Sequence, residues 1–352
     1  MKIEAMQLRQ FSAFENADLS FCPGINVLIG ANATGKTHLL KLLYATCAGI
    51  PKRAAMPPKR GPSFDDRLAM KLINVFRPDG EELSHLIRQG AKSSSISLSW
   101  GLTRLSFQIA PNGWVTSKDT KFKDEARAVF IPSREVLSMF RGFVPAYEEQ
   151  ELAFDETYYD ICMALMRNPL RIRLLEWVKL VGELQASIGG SVIFTGTDFY
   201  LKAPGERGKG REVQLVSEGY RRIAMLAHLV NNGAVGRNGI LFWDEPESSL
   251  NPKLVTLMAL VLRRIAAMNV QVFVATHDYL LTSELSLAVE YKTAPAVPTR
   301  FFCLSRAQPN EPVSIESGDK LADLEHNPII AEFVAHYDRE LQLFYKDTPK
   351  NA

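Results

Sequence analysis

The stretch Gly30-Ala31-Asn32-Ala33-Thr34-Gly35-Lys36-Thr37 fits the spacing G-x-x-x-x-G-K-[ST]. The chemistry this spacing serves is the cradling of a polyphosphate. The glycines let backbone N–H groups close around phosphate oxygens, and the start of the following helix adds partial positive charge. Lys36 would reach the β- and γ-phosphates, and the Thr37 hydroxyl would ligate Mg²⁺. The flanks supply the required setting. Ile25-Asn26-Val27-Leu28-Ile29 reads as a buried strand entering the loop, and His38-Leu39-Leu40-Lys41-Leu42-Leu43 as a helix leaving it. That context separates a phosphate loop from a glycine-rich turn with an exposed lysine.

A second set of candidate groups lies in the C-terminal half. The apolar run Ile240-Leu241-Phe242-Trp243 ends in Asp244-Glu245. An aspartate at the tip of a buried strand can serve Mg²⁺, and a glutamate beside it can polarise an attacking water as general base. The run would deliver both to the carboxyl edge of a sheet, where open α/β folds bind ligands. Pro246-Glu247-Ser248-Ser249-Leu250-Asn251-Pro252 then forms a polar turn into a helix. The next strand, Val270-Gln271-Val272-Phe273-Val274, leads to Thr276-His277-Asp278. A histidine there can hydrogen-bond a γ-phosphate or the attacking water. Ser217 and Gly219 open a further helix and make a second anion site, or Ser217 is simply an N-cap.

These groups need elements to hold them. Residues 64–77 show a helical face, and residues 96–109 alternate as a β-hairpin. Val129-Phe130-Ile131-Pro132 reads as a strand ending at proline, and 153–188 as helical. Two more strands are expected around Val192–Phe194 and Val213–Leu215, on either side of the polar Gly205–Gly210 turn. Strands 240–243 and 270–274 are apolar on both faces, as a covered parallel sheet requires. Ile330, Phe333, Val334, Tyr337, Leu341 and Phe344 recur at helical spacing. This reads as packing against the core, with partner docking as the alternative. The segment 51–62 carries four basic residues and four prolines. It reads as an extended loop, either solvated or offering contacts to phosphate backbone or an acidic partner.

The 352 residues suit one large α/β domain with an insertion, or two domains, and 46% hydrophobic content can bury a large core. A net charge of +2 gives no global pull toward nucleic acid or membrane, so any such surface must be local. Cys22, Cys47, Cys162 and Cys303 form no C-x-x-C pair, which argues against a zinc site or disulfide framework. With no signal-like N-terminus and no apolar run of membrane-spanning length, the expectation is a cytoplasmic protein that does not enter a membrane.

In their order along the chain, these motifs resemble the ABC-type ATPases: Walker A, signature, Walker B, D-loop and switch histidine. The resemblance covers 1–50 and 212–282. Leu8-Arg9-Gln10-Phe11-Ser12-Ala13-Phe14 and Pro23-Gly24-Ile25-Asn26 are similar to the opening of the RecF/SMC/OLD branch. Val75-Phe76-Arg77-Pro78-Asp79-Gly80, Phe130-Ile131-Pro132-Ser133-Arg134-Glu135 and Trp243-Asp244-Glu245-Pro246-Glu247 resemble its single-chain AAA-15/AAA-21 type members.

The resemblance implies an α/β P-loop NTPase, an ABC-ATPase head with a mixed sheet flanked by helices. Its core would be 1–50 and 212–320. Residues 51–211 would form an inserted helical and β-hairpin lid, and 321–352 a C-terminal helix. It further implies that Gly30, Asn32, Ala33, Thr34, Gly35, Lys36 and Thr37 bind ATP in cis, with Arg9 as a further phosphate or P-loop contact. Ser217 and Gly219 of a second subunit would close over the γ-phosphate. Glu245 would be the base, Asp244 and Thr37 would serve Mg²⁺, and His277 would sense the γ-phosphate. Glu218 stands where transporter subunits have glycine, and Ser133–Glu135 is where this branch would place a Q-loop equivalent.

The expected protein is an ATP-hydrolysing switch, an ATP-dependent homodimer controlling a separate effector, a nuclease or toxin, in DNA repair or anti-phage defence. The alternative is a recombination-type ATPase that binds DNA directly through Lys52, Arg53, Lys59, Arg60, Arg221 and Arg222. A transporter subunit is a third reading, disfavoured by the N-terminal pattern and the long insertion. The roughly 180 residues between Lys36 and Ser217 carry no sustained heptads for a long coiled coil. The absence of N-K-x-D argues against a GTPase.

Overall fold

The computed structural model describes residues 2–50, 61–118, 127–171, 174–308 and 310–347, with side chains through 344. β1 (Ala5–Phe11) and β2 (Phe14–Ser20) form a hairpin, β3 (Ile25–Gly30) follows, and α1 (Lys36–Gly49) leaves the phosphate loop. Next come α2 (Phe64–Phe76), β4 (Ser94–Trp100), β5 (Thr103–Ile109), β6 (Val115–Lys118) and β7 (Ala128–Ile131). The chain continues through α3 (Phe143–Glu148), α4 (Glu156–Leu165), α5 (Leu175–Ser187), β8 (Ser191–Phe194), β9 (Phe199–Lys202) and β10 (Arg211–Glu212). It then alternates: α6 (Glu218–Asn231), β11 (Ile240–Asp244), α7 (Pro252–Ala267), β12 (Gln271–Thr276) and α8 (Tyr279–Glu290). It ends in β13 (Thr299–Ser305), β14 (Ser314–Gly318) and α9 (Pro328–Asp347).

The central sheet has the order β14-β13-β3-β12-β11-β7. It is parallel except for β14, which pairs antiparallel with β13. Every residue of β3, β11 and β12 is buried, as expected of strands covered on both faces. The strand period of two divides their side chains between two cores. Val27 and Ile29 face the cluster built with α4, α5, α6 and α7. Leu28, Phe242, Phe273 and Phe302 face α1, α2 and a second sheet. That second sheet is antiparallel, in the order β2-β1-β4-β5-β6.

The segment expected as a lid, 51–211, is therefore divided. β4 to β6 extend the sheet begun by β1 and β2, and β7 completes the edge of the central sheet beside β11. A boundary at residue 51 does not follow the sheets. The helices α3 to α5 and the small sheet β10-β9-β8 are what remains of a separate layer.

Two further expectations are corrected. The partner of β8 is β9, reached through a turn in which Gly196 has φ 97°, and Val213–Leu215 is a 3₁₀ turn rather than a strand. Of those three residues only Val213 is buried, and one anchor does not make a strand face. The last helix was read as packing against the core. Among the described residues its start does so, through Ile329 and Ile330, and Phe333 lies beside Tyr279 of α8 with ring centroids 4.4 Å apart. Phe333, Val334 and Tyr337 stay more than half exposed.

Local chemistry explains why these elements form where they do. Ser63 and Asp66 make a reciprocal capping box that starts α2. Asn251 caps α7 ahead of Pro252 at its first position, and Asp278 caps α8. Phe199 locks the small sheet onto the helical layer. Its ring lies 4.9 Å from Phe140, 4.6 Å from Phe194 and 5.1 Å from His228. Phe199→Ala should lower unfolding free energy by about 3–5 kcal/mol, read as a lower denaturant midpoint, because this site is almost fully buried.

Candidate nucleotide site

β3 delivers the chain into the loop at Gly30, whose φ of 152° and surroundings exclude a side chain. A Cβ there would lie 2.2 Å from the Leu304 carbonyl oxygen. Gly35, at φ 89°, ends the loop against the Phe14 ring. Thr34 Oγ1 donates to Ala31 O at 2.9 Å, which fixes the loop from within. Lys36 Nζ donates to Gly30 O at 2.7 Å and Ala31 O at 2.8 Å. Burial lowers the pKa of Lys36, against the opposing pull of Asp244, Glu245 and Glu247. A partly desolvated ammonium beside open backbone N–H groups is a strong anion receptor.

The loop opens into a cavity of about 490 Å³ lined by Asn32, Ala33, Thr34, Gly35, Lys36 and Thr37 together with Ser12, Ala13, His38, Glu245 and Arg306. Thr37 Oγ1 lies 3.0 Å and 3.2 Å from the two carboxylate oxygens of Asp244. Burial pushes the Asp244 carboxyl up to about 6, with Glu245 adding to the rise, while the Thr37 hydroxyl, Lys41 and Lys36 pull it back. A buried carboxylate with a hydroxyl in hydrogen-bond reach is the donor set a hard cation selects, so these residues fit Mg²⁺.

Glu245 follows Asp244 with φ 50°, a left-handed backbone rare for a side-chain-bearing residue. Its N–H donates to Ala275 O at 2.8 Å. One carboxylate oxygen lies 3.2 Å from His277 Nδ1, and the other accepts from Ser248 Oγ at 3.2 Å. Glu247 is more deeply buried. Thr276 Oγ1 donates to it at 2.7 Å, and its other oxygen has no hydrogen-bond partner. Burial pushes its carboxyl up to about 7, with Asp278 and Glu245 adding to the rise.

Ser217 and Gly219 lie at the start of α6, outside the set that lines the loop cavity. Ser217 is exposed and its side chain makes no capping bond. Gly219 packs on the turn after β11, where a Cβ would sit 2.5 Å from Ser249 O. Two arginines tie α6 inward. Arg221 Nε donates to buried Glu135 at 2.6 Å. Arg222, fully buried, donates to Ser133 O and, at 3.3 Å, to Glu245 O.

The chain is similar to known proteins in sequence and in fold. A family model described as AAA domain, putative AbiEii toxin, Type IV TA system matches residues 169–283. A stretch of 57 residues is 39% identical to the DNA replication and repair protein RecF of Salmonella typhi, covering 16% of this chain and 16% of that one. RecF of Salmonella newport (strain SL254) matches to the same extent. The SMC head bound to the C-winged helix domain of ScpA superposes with a TM-score of 0.55 at 13% identity, over 90% of this chain and 98% of that one. The fold is that of an ABC-type ATPase head of the RecF/SMC branch. The Smc head with an extended coiled coil, derived from Pyrococcus furiosus and bound to the C-terminal domain of ScpA, superposes at 0.50 and 12% identity, over 96% and 99% of the two chains.

Within this ABC-type head, one expected site residue is elsewhere. Arg9 was expected at the phosphate loop. Its guanidinium instead pairs with both oxygens of Asp18 at 2.9 Å and donates to Leu8 O and Ala17 O. It lines a separate cavity on the antiparallel sheet with Gln7 and Arg104. Of the arginines and lysines expected to meet DNA, Arg222 is buried and Arg221 is paired. Lys52, Arg53, Lys59 and Arg60 lie outside the described residues. Arg306, Ser12 and His38 were missed as cavity residues; Ser12 Oγ and His38 Nδ1 are 2.6 Å apart. The pattern Leu8–Phe14 touches this site, but through Ser12 and Ala13 rather than Arg9. Among the described residues no helix is long and apolar enough to cross a membrane.

The raised Glu247 pKa gives a signed expectation. Between the ordinary value of 4.5 and about 7, the folded state holds more protons than the unfolded state. Its contribution to stability is therefore complete below the lower value and is lost as pH rises through the upper one. Glu247→Gln should flatten this part of the pH dependence, measured as thermal midpoints at about pH 4.5 and about pH 7.5.

Proposed function

We propose that this chain is an ATP-hydrolysing switch that closes head to head as an ATP-dependent homodimer and controls a separate effector protein, a nuclease or toxin, in DNA repair or anti-phage defence. One observation carries the reading. Glu245 lines the same cavity as Lys36 and Thr37, whereas exposed Ser217 at the start of α6 is outside it. A cavity with phosphate receptor and base, and an exposed helix start outside it, are the two halves that a second copy would bring together. The RecF and SMC likenesses support the same class, with RecF named as a DNA replication and repair protein.

In this reading Gly30 to Thr37 hold the triphosphate through backbone N–H groups and Lys36. Asp244 and Thr37 would hold Mg²⁺, which would neutralise charge on the phosphate oxygens. Glu245 accepts the proton of the attacking water, and His277, 3.2 Å from that carboxylate, senses the γ-phosphate. Ser217 and Gly219 of the second copy add N–H and hydroxyl donors. Those contacts exist only in the closed state, so ATP shifts the population toward the dimer and hydrolysis releases it.

Glu245→Gln should cut ATP turnover by about 10²–10⁴-fold and trap the closed state. Light scattering should then give a dimer with Mg-ATP and a monomer with Mg-ADP, and adding Ser217→Arg should return the ATP sample to monomer. An ATP-independent mass, or a dimer unaffected by Ser217→Arg, overturns the sandwich. DNA cleavage by the purified chain alone overturns the separate effector.

A further inference from the structure

The motif Val75–Gly80 is not used by the nucleotide site. It borders an open cavity of about 700 Å³ between the end of α2 and the α3–α4 region. One wall carries Tyr147 and Tyr159, whose rings stack at 5.0 Å and 25°. Met70 and Ile73 supply apolar surface, and Asp79, Glu81 and Glu148 are exposed at the rim. Arg77, the cation of this lining, donates to Leu152 O at 3.2 Å and Phe154 O at 2.7 Å, so it serves to hold the rim together. Arg77, Glu81 and Gln150 all have left-handed backbone, at φ 47°, 59° and 59°. Such strain persists only where the surroundings fix the chain, and here it fixes three rim positions of one cavity.

The lining carries three carboxylates, Asp79, Glu81 and Glu148, against one guanidinium, Arg77. Burial pushes the Tyr147 hydroxyl up to about 12, and Glu156, Asp155 and Asp160 behind the wall add to that rise while Arg77 opposes it. Tyr159 donates to Glu148 at 2.8 Å, which presents that carboxylate at the mouth. Carboxylates at the rim disfavour a phosphate, and so a nucleic acid, as the occupant. Aromatic faces beside carboxylates attract a cation, and the planar guanidinium both stacks on tyrosine and forks onto a carboxylate.

We propose that this cavity receives an arginine side chain from a basic segment of a partner protein, stacked on Tyr159, since Tyr147 is already sandwiched between Phe143 and Tyr159, and paired with Glu148 and Glu81. The cavity has the size of a ligand site and fits one long side chain with its flanking backbone. The inference deepens the reading of a separate effector, and rests on that reading for the source of the arginine. It also supplies a route to the nucleotide. Lys71 of α2 contacts Asp160 and, at 3.1 Å, Glu156. From α1, Tyr44 donates to Asp160 at 2.5 Å and Lys41 to Asp155 at 2.8 Å. The back wall of the cavity is thus bonded to the helix that leaves the phosphate loop.

The test uses the full chain with ¹³C-methyl methionine and follows Met70 by NMR. The probes are the pentapeptide Ser-Gly-Arg-Gly-Ser and its lysine, glutamine and glutamate counterparts. The arginine peptide should shift Met70 saturably, the lysine peptide more weakly, and the other two not at all. Tyr159→Leu and Glu148→Gln should each weaken arginine binding by about ten-fold while the other methionine methyl signals stay in place. Equal shifts from the glutamine peptide, no saturable shift, or binding unchanged in both variants overturns the proposal. Arginine binding in a chain whose mass ignores ATP would keep the cavity and reject the switch. An ATP-driven dimer with no arginine binding would do the reverse.

Discussion

Parallel pairing of β3 with β12, and of β12 with β11, is the constraint on which the site depends. Ile29 stands opposite Thr276, and Asp244 opposite Ala275. The phosphate loop, His277 and the Asp244-Glu245 pair therefore leave the sheet along one edge. A slip of one residue would turn each side chain to the other face and remove Asp244 from Thr37. The register is pinned at the far end. The buried amide of Gln271 accepts from Ile3 N and donates to Ile3 O and Cys22 O, all within 2.9 Å. A fully satisfied polar group at the start of β12 thus aligns chemistry at its end.

That alignment has a cost in solvation. Asp244 and Glu247 are held in surroundings that disfavour their charged forms. Strongly shifted carboxyls of this kind cluster at functional sites. The left-handed backbone of Glu245 belongs to the same pattern, with strain held in place by the Ala275 and Ser248 hydrogen bonds.

Much of this was legible from local signals. The phosphate loop, β11 and β12 announce themselves through contiguous apolar runs and fixed spacing, and those are the elements nearest the site. Less legible was anything decided by distant pairing. Nothing in residues 94–131 says that β4 joins β1 or that β7 joins β11; those choices depend on which edges remain free after the rest has folded. Arg9 shows the same limit at small scale. It pairs across the β1–β2 hairpin with Asp18, two residues diagonal to its register partner Asn16. Strand alternation and opposite charge could have revealed that pair. The C-terminal helix displayed an apolar face correctly, but periodicity identifies a face and not what covers it.

The missing side chain at Gly219 has a mechanical consequence. With no Cβ, the start of α6 sits directly on the Ser249 carbonyl, and Arg222 bolts the same helix to the carbonyls of Ser133 and Glu245. The helix, the turn after β11 and the backbone of Glu245 form one stiff block with no slack between its parts. A displacement of α6 would therefore have to carry the Ser249 and Glu245 carbonyls with it or break these contacts. The head behaves less like a hinge with a loose finger than like a key whose blade and bow are cut from one piece.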